Sequence, residues 1–327
     1  MANRKVIGGM AMALSFIMMM VLAGCPTEDN PSGTETQLPA SKGANALSGK
    51  TYFEYEEKIE FSVTAEGAAS GTYTRRAVPY QRNGDYSEPV LADGKYTWVD
   101  IETGAYSWDA DAKKVTLAPE KAAPRNQDGY DQPQTKAQYR DSMQTMLNQL
   151  KQQEEMGDEE FNAALQEMGY SSVAAYLDYA VAERFKNVTN NYAFSTDEKA
   201  LFLDEVLPAN KGNDDLAGQT YNGTTWNDDD EAVKDEREKY VFAAEGSSCT
   251  YTYDGGSPQT YNYAYDSAAK KVYLKVPVTD RDSSYTGGGS YGAEYYDSPE
   301  DAKAAQVNNQ YNRVEVYTYN TTEKTLR

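Results

Sequence analysis

Leu47-Ser-Gly49-Lys-Thr51-Tyr52 returns later in the chain as Leu216-Ala-Gly218-Gln-Thr220-Tyr221, and the reading of this pair decides the fold. Behind each copy the same pieces follow in the same order. Glu57-Lys58-x-x-Phe61 returns as Glu238-Lys239-x-x-Phe242, Ala65-Glu66-Gly67 as Ala244-Glu245-Gly246, and Thr72-Tyr73-Thr74 as Thr250-Tyr251-Thr252. Tyr106-x-Trp108-Asp109 with Lys113-Lys114-Val115-x-Leu117 returns as Tyr263-x-Tyr265-Asp266 with Lys270-Lys271-Val272-x-Leu274. Last, Tyr192-x-Phe194 with Glu198-Lys199-x-Leu201 returns as Tyr317-x-Tyr319 with Glu323-Lys324-x-Leu326. Ordered self-similarity of this kind marks a duplicated structural unit.

Each block is a piece of hairpin. Tyr106 and Trp108 stand two residues apart and share one face of a strand, Asp109 opens a short turn, and Lys114 to Leu117 alternates again on the return. These aromatics are therefore expected in the core. Short alternating strands joined by Gly, Asp and Asn turns predict a mainly β protein of two tandem antiparallel β-barrel or β-sandwich repeats, in which closure removes exposed edges. The first repeat is expected over 47–210 and the second over 216–327. An α-helical insert at about 134–185 interrupts the first. Tyr139, Met143, Met146, Leu147 and Leu150 recur at helical spacing, as do Phe161, Leu165 and Met168, then Val173, Tyr176, Leu177, Ala180 and Val181. Their apolar stripes must cover something, so the helices are expected to pack on the sheet or plug one end of a barrel. The second repeat has a Gly-rich stretch, Gly287 to Gly289, in the corresponding place, and a short helix after Ser298-Pro299-Glu300-Asp301.

The formal net charge is −20. An acidic surface of that size repels phosphates, which excludes a nucleic-acid role and favours cationic partners. No histidine occurs, which removes Ser-His-Asp and Cys-His triads and the usual zinc sites. No catalytic residue, metal site or cofactor is assigned. Cys25 and Cys249 are the two cysteines; Cys249 sits in a strand pattern with no basic neighbour and reads as a buried, inert thiol.

The N-terminus has Arg4 and Lys5, an apolar run from Val6 to Leu22, and then Leu22-Ala23-Gly24-Cys25. Residues 1–24 read as a secretory signal peptide, whose loss takes the charge from −20 to −22 because Arg4 and Lys5 go and no acid does. Leu22-Ala23-Gly24-Cys25 resembles the lipobox of bacterial lipoproteins. The resemblance implies cleavage before Cys25, acylation of its thiol, export, and a membrane held through N-terminal acyl chains. Acyl chains contribute about 0.8 kcal/mol per buried methylene, so two or more anchor stably. Residues 25–46, rich in Pro, Gly, Ser, Thr and acids, read as a flexible tether. Pro26 follows the cysteine in place of the Asp that signals inner-membrane retention in enteric bacteria, so the outer membrane is the expected home. The opening Leu-x-Gly-x-Thr-Tyr resembles the start of lipocalin-like domains in bacterial lipoproteins, and tandem units of this kind resemble those of spirochaete and related surface lipoproteins.

The expected function is accordingly that of a lipid-anchored, non-catalytic envelope protein that binds a protein or small molecule. Tyr285, Tyr291, Tyr295 and Tyr296 lie in the Gly-Ser-rich loop of the second repeat, where no strand demands them, and form the candidate binding loop. Asp228, Asp229, Asp230 and Glu231 could clip a hard cation but lack the alternation of a calcium loop. Two rival readings make different demands. A carrier of a small apolar ligand requires a cavity inside a barrel, and an envelope polysaccharide hydrolase requires two acids facing each other in a cleft.

Overall fold

The computed structural model describes residues 37–327 except 84–85, 127–128, 154–155, 168–169, 227–231, 288 and 290–291. The chain is mainly β, in two barrel-like sheets. The first repeat supplies β1 (Thr51–Glu54), β2 (Glu57–Phe61), β3 (Gly71–Ala77), β4 (Val99–Asp109), β5 (Lys114–Ala122), β6 (Val188–Phe194) and β7 (Leu201–Glu205). The second supplies β8 (Thr220–Trp226), β9 (Ala232–Phe242), β10 (Ser248–Tyr253), β11 (Gln259–Asp266), β12 (Lys271–Lys275), β13 (Glu315–Asn320) and β14 (Thr325–Leu326). Strand for strand, the duplication read in the sequence is present.

The conserved-looking opening motif has a physical reason in both copies. Leu47 and Leu216 are fully buried. Gly49 and Gly218 both take φ +70°, a left-handed backbone that a side chain would strain. The third hairpin is likewise built twice. Asp109 Oδ1 accepts from the Ala112 amide at 2.9 Å, and Asp266 Oδ1 accepts from Ala268 and Ala269 at 3.1 and 3.0 Å. Lys113 and Lys270 then turn the chain at φ 51° and 53°. The repeats start earlier than the blocks suggested. Lys42 bridges Asp109 and Lys211 bridges Asp266 as parallel partners, and Asn45 Nδ2 donates to the Tyr106 hydroxyl at 2.8 Å. Residues 42–46 therefore belong to the fold and not to the tether.

By contacts the described residues form two units, the first of those up to 189 with 294–297 and the second of those from 190 to 293 with 298–327. In the first, β1 to β5 run as an antiparallel meander, and Val188 and Thr189 at the start of β6 come next, Thr189 meeting Thr116 of β5 at 2.9 Å. Three helices, α1 (Lys136–Gln153), α2 (Asp158–Glu167) and α3 (Val173–Arg184), occupy the expected insert. They form a core of their own around Met143, Leu147, Phe161, Leu165 and Leu177 that meets the sheet at Ala122. Ser172 caps α3, accepting from the Ala175 amide at 3.1 Å.

In the second unit β8 to β14 close into a barrel, with Asn222 of β8 beside Thr325 of β14 as the parallel closing pair. The rest of the ring is antiparallel. Its interior is filled by Leu216, Tyr221, Tyr240, Phe242, Cys249, Tyr263, Val272, Leu274, Tyr319 and Leu326. Two helices, α4 (Val278–Thr286) and α5 (Pro299–Tyr311), lie between β12 and β13. A helical insert thus sits between the fifth and sixth strands of both repeats: α5 is the helix expected after Ser298, and α4 is an addition where a Gly-rich stretch was read. The pattern of α4 is mostly polar and escaped a search for apolar stripes. The hairpin of β6 and β7 also departs from the expected boundary at 210. From Asn190 it belongs with the second unit, because Ala200 and Phe202 pack against Tyr285, Ala304 and Val307 of the two helices.

Strand register corrects one matched block. Phe61 pairs with Tyr73 and Ile59 with Arg75, whereas Phe242 pairs with Cys249 and Tyr240 with Tyr251. Tyr52 and Tyr221 face Ile59 and Tyr240 in turn, so these positions are equivalent. Cys249 therefore stands where Tyr73 stands, and Tyr251 where Arg75 stands. The match of Thr72–Thr74 to Thr250–Thr252 is two residues out. The shorter connection before β10 hid the slip, and a slip of two keeps each side chain on the same face.

Candidate functional site

The tyrosines read as a binding loop are largely spent on packing. Tyr285 lies on α4, 4 % exposed, with its ring 6.0 Å from Phe202. Tyr296 is buried in the first unit, where it stands 5.2 Å from Tyr96 and 6.2 Å from Phe53, and its hydroxyl donates to the Tyr55 carbonyl. Tyr295 is half-buried against Tyr96 at 5.3 Å. Tyr291, Asp228 to Glu231, and the lipobox residues Leu22, Ala23, Gly24 and Cys25 lie outside the described residues. Among the described residues no group of three or more acidic, Cys or His side chains is placed to hold a metal, and no helix is long and apolar enough to cross a membrane. Cys249 is fully buried, and burial pushes its thiol up to about 12.

The second barrel has a hollow at one end. A pocket of about 330 Å³ is lined by Gln259, Tyr261, Leu274, Val276, Gln310, Tyr311, Arg313 and Glu315, at the lower end of the size range of small-molecule sites. Three elements meet there: the start of β11, the end of β12, and the passage from α5 into β13. Behind it the barrel interior turns from hydrocarbon to phenol. Tyr251 and Tyr261 stand 5.8 Å apart, Tyr240 and Tyr251 5.0 Å, and Tyr240 and Tyr317 5.7 Å. Alternation along β9, β10, β11 and β13 puts all four rings on the inner face.

Their hydroxyls are committed to acceptors at the mouth. Tyr240 donates to Glu238 at 2.9 Å, Tyr317 to Glu315 at 3.0 Å and Tyr261 to Gln259 at 2.9 Å. Burial raises all four phenols above the ordinary tyrosine range, with Glu238 or Glu315 adding to the rise in each. They therefore remain neutral donors throughout the physiological range. Glu238 reaches its place because β9 bulges opposite Asn222 and Gly223, which pair with Lys239 and Asp235 and leave residues 236–238 out of that ladder. A Cβ on Gly223 would fall 1.7 Å from Glu238 Oε2, so the carboxylate lies in the space that glycine leaves.

A second polar cluster in this unit is structural. Asp204 of β7 is sandwiched between Lys275, at 2.8 Å, and Arg281, which is fully buried. Arg281 also donates to the carbonyls of Leu203 and Tyr311, and Lys275 to that of Asn312 at 2.7 Å. Burial pushes the Asp204 carboxyl upward against the pull of both cations, and pulls the Lys275 ammonium down. The carboxylate sits between two cations, an arrangement unlike the facing acid pair of a glycoside hydrolase.

Comparison with family models, with curated proteins and with solved structures returns no match to this chain. The mouth of the second barrel was not foreseen from the sequence. Tyr317 and Tyr251 fell inside matched blocks and so read as core, and the helix end that brings Gln310, Tyr311 and Arg313 to the rim has no motif. The signal that could have found it is Gln259-x-Tyr261-x-Tyr263, an alternating run that begins one polar residue outside the buried pair.

Proposed function

We propose that the chain is a lipid-anchored, non-catalytic binding protein of the bacterial envelope, tethered through Cys25 and taking its ligand at the mouth of the second barrel. The anchor reading rests on Leu22-Ala23-Gly24-Cys25 behind an apolar run and a basic start. The binding reading is carried by one observation: Tyr261, Tyr311 and Glu315 line a pocket at the end of a barrel whose interior is otherwise packed. The packed interior speaks for a ligand held at the mouth and against an apolar guest carried between the sheets. Outer-membrane placement and display at the surface follow from Pro26 and from the resemblance to tandem-unit surface lipoproteins.

Metabolic labelling with a palmitate analogue tests the anchor. The wild-type chain is expected to take up label and partition into detergent, and Cys25→Ser to do neither. An unlabelled wild-type chain would remove the anchor from the reading. Protease shaving of intact cells, with a periplasmic protein as control for a sealed envelope, then tests display. Loss of the body with survival of the control is the expected result.

A further inference from the structure

Equivalent ends of the two barrels solve the same electrostatic problem differently. In the first unit the position of Glu238 is held by Glu57, and that of Tyr251 by Arg75. The Arg75 guanidinium lies 3.3 Å from Glu57. Burial would pull its pKa down, but Glu57, Glu102 and Glu54 outweigh that and hold it charged. Arg184, from the end of α3, pairs with buried Glu102, which also accepts from the Tyr73 hydroxyl at 2.7 Å. The acids at this end are neutralised by cations on three-carbon stems that belong to the chain itself.

In the second unit both of those pairs are dismantled. Tyr251 replaces Arg75, and Gln259 occupies the position of Glu102. Glu238 and Glu315 accept from tyrosine hydroxyls and have no cation within ion-pair distance among the described residues. A pocket opens beside Gln259, Tyr261 and Glu315, and the Tyr251 ring stands 5.8 Å from that of Tyr261 behind it. Two carboxylates framed by the faces and edges of tyrosine rings form the surroundings that a desolvated organic cation prefers, through charge-assisted hydrogen bonds and cation–π attraction. The chain's net charge of −20 draws such a ligand in.

Resting on the reading that the mouth of the second barrel binds a ligand, we infer that the ligand presents a guanidinium or ammonium group on an alkyl stem, which enters between Tyr251, Tyr261 and Tyr317 and pairs with Glu238 and Glu315. The first unit shows the occupied form of the site, with Arg75 as a built-in occupant. Arg313 is the one cation lining the pocket. It opposes a cationic ligand and sets the rim against a second positive charge.

Calorimetric titration of the full chain in detergent tests this with three probes. Pentylguanidinium stands for a free alkylguanidinium, acetyl-arginine amide for one carried by a peptide, and pentylurea for the uncharged isostere. One or both cations are expected to bind with one site per chain, pentylurea not to bind, and the tighter cation to identify the source. Glu238→Gln should weaken binding by about tenfold or more, the loss of one charge-assisted contact. Gly223→Ala should act in the same direction by displacing the Glu238 carboxylate, whose flexible end can move without disturbing the barrel. Tyr251→Arg should abolish binding while the barrel stays folded, because it installs the first unit's occupant. Arg313→Gln should tighten it. Cation binding that survives Tyr251→Arg unchanged overturns the inference, as does binding of pentylurea in preference to both cations, although that result keeps the mouth as a site. No binding of any probe up to millimolar concentration, with no shift of the Gln259 and Gln310 side-chain amide resonances, removes the mouth itself.

Discussion

Asp204→Ala is expected to destabilise the second unit by about 3–5 kcal/mol, read as a fall in the denaturant midpoint at constant slope. Asp204 is the carboxylate that Lys275 and Arg281 share, and their side chains are 4 % and 0 % exposed. Without it two positive charges face each other in a place water does not reach, and neither can leave because each is also tied to backbone carbonyls. The size of the effect comes from the charges left behind and not from the worth of the pair. It carries a pH signature. Burial already holds Lys275 below the ordinary lysine range, and losing Asp204 lowers it further. The folded variant then sheds this proton at a lower pH than its unfolded chain, so the unfolded state binds more protons and stability rises with pH between the two values. The deficit against wild type should therefore be largest near neutrality and shrink toward about pH 9, still below the unfolded lysine pKa. Replacing Asp204, Lys275 and Arg281 together by Leu, Met and Met should recover most of the loss, since an apolar trio of similar volume pays no desolvation. A midpoint for Asp204→Ala equal to wild type would show that the three groups are solvated.

Tyr221 gives the second large effect, with opposite signs for two substitutions. Its side chain is fully buried at the closing seam, where its ring meets Phe242 at 5.8 Å and Tyr319 at 6.1 Å edge-on. Tyr221→Ala removes those contacts and leaves a void in a closed ring of strands that cannot collapse freely, at a cost of about 3–5 kcal/mol. The hydroxyl is a different matter. It is buried without a hydrogen-bond partner among the described residues, and an unsatisfied buried hydroxyl costs about 1–3 kcal/mol. Tyr221→Phe should thus be neutral or stabilising. The equivalent Tyr52 hydroxyl donates to Glu54 at 3.3 Å, so Tyr52→Phe should lose stability. Thermal melts of the three variants check both signs, and a destabilised Tyr221→Phe would mean that the hydroxyl has a partner, such as a buried water.

Much of the fold was legible because a duplication is visible to the eye when both copies keep the residues that physics demands. Leu47 and Leu216 plug, Gly49 and Gly218 turn left-handed, and Asp109 and Asp266 cap the same turn. Those are local requirements, met by particular residue types. What escaped depended on distance in space. The two-residue slip at β3 and β10 is invisible to a block match because loops differ in length while strands keep a period of two. Helix α4 escaped because its buried residues include a charged one, Arg281, where an apolar stripe was sought. The site was less legible than the fold. The tyrosines that stood outside any strand pattern, Tyr285 and Tyr296, are core residues, while those inside the patterns, Tyr251, Tyr261 and Tyr317, line or back the mouth. A strand that is core along most of its length becomes surface at its end, and sequence period does not say where that change falls.

The central claim is that two copies of one barrel differ at a single end, one closed by its own arginines and the other open to a cation. Hydrogen exchange of the full chain with and without pentylguanidinium tests it directly, because each unit serves as the control for the other. Protection is predicted at the start of β11, along β10 and from Asn312 to Tyr317, with no change in β3 or at the end of α3. Equal protection in both units, or none in either at saturating pentylguanidinium, would contradict it.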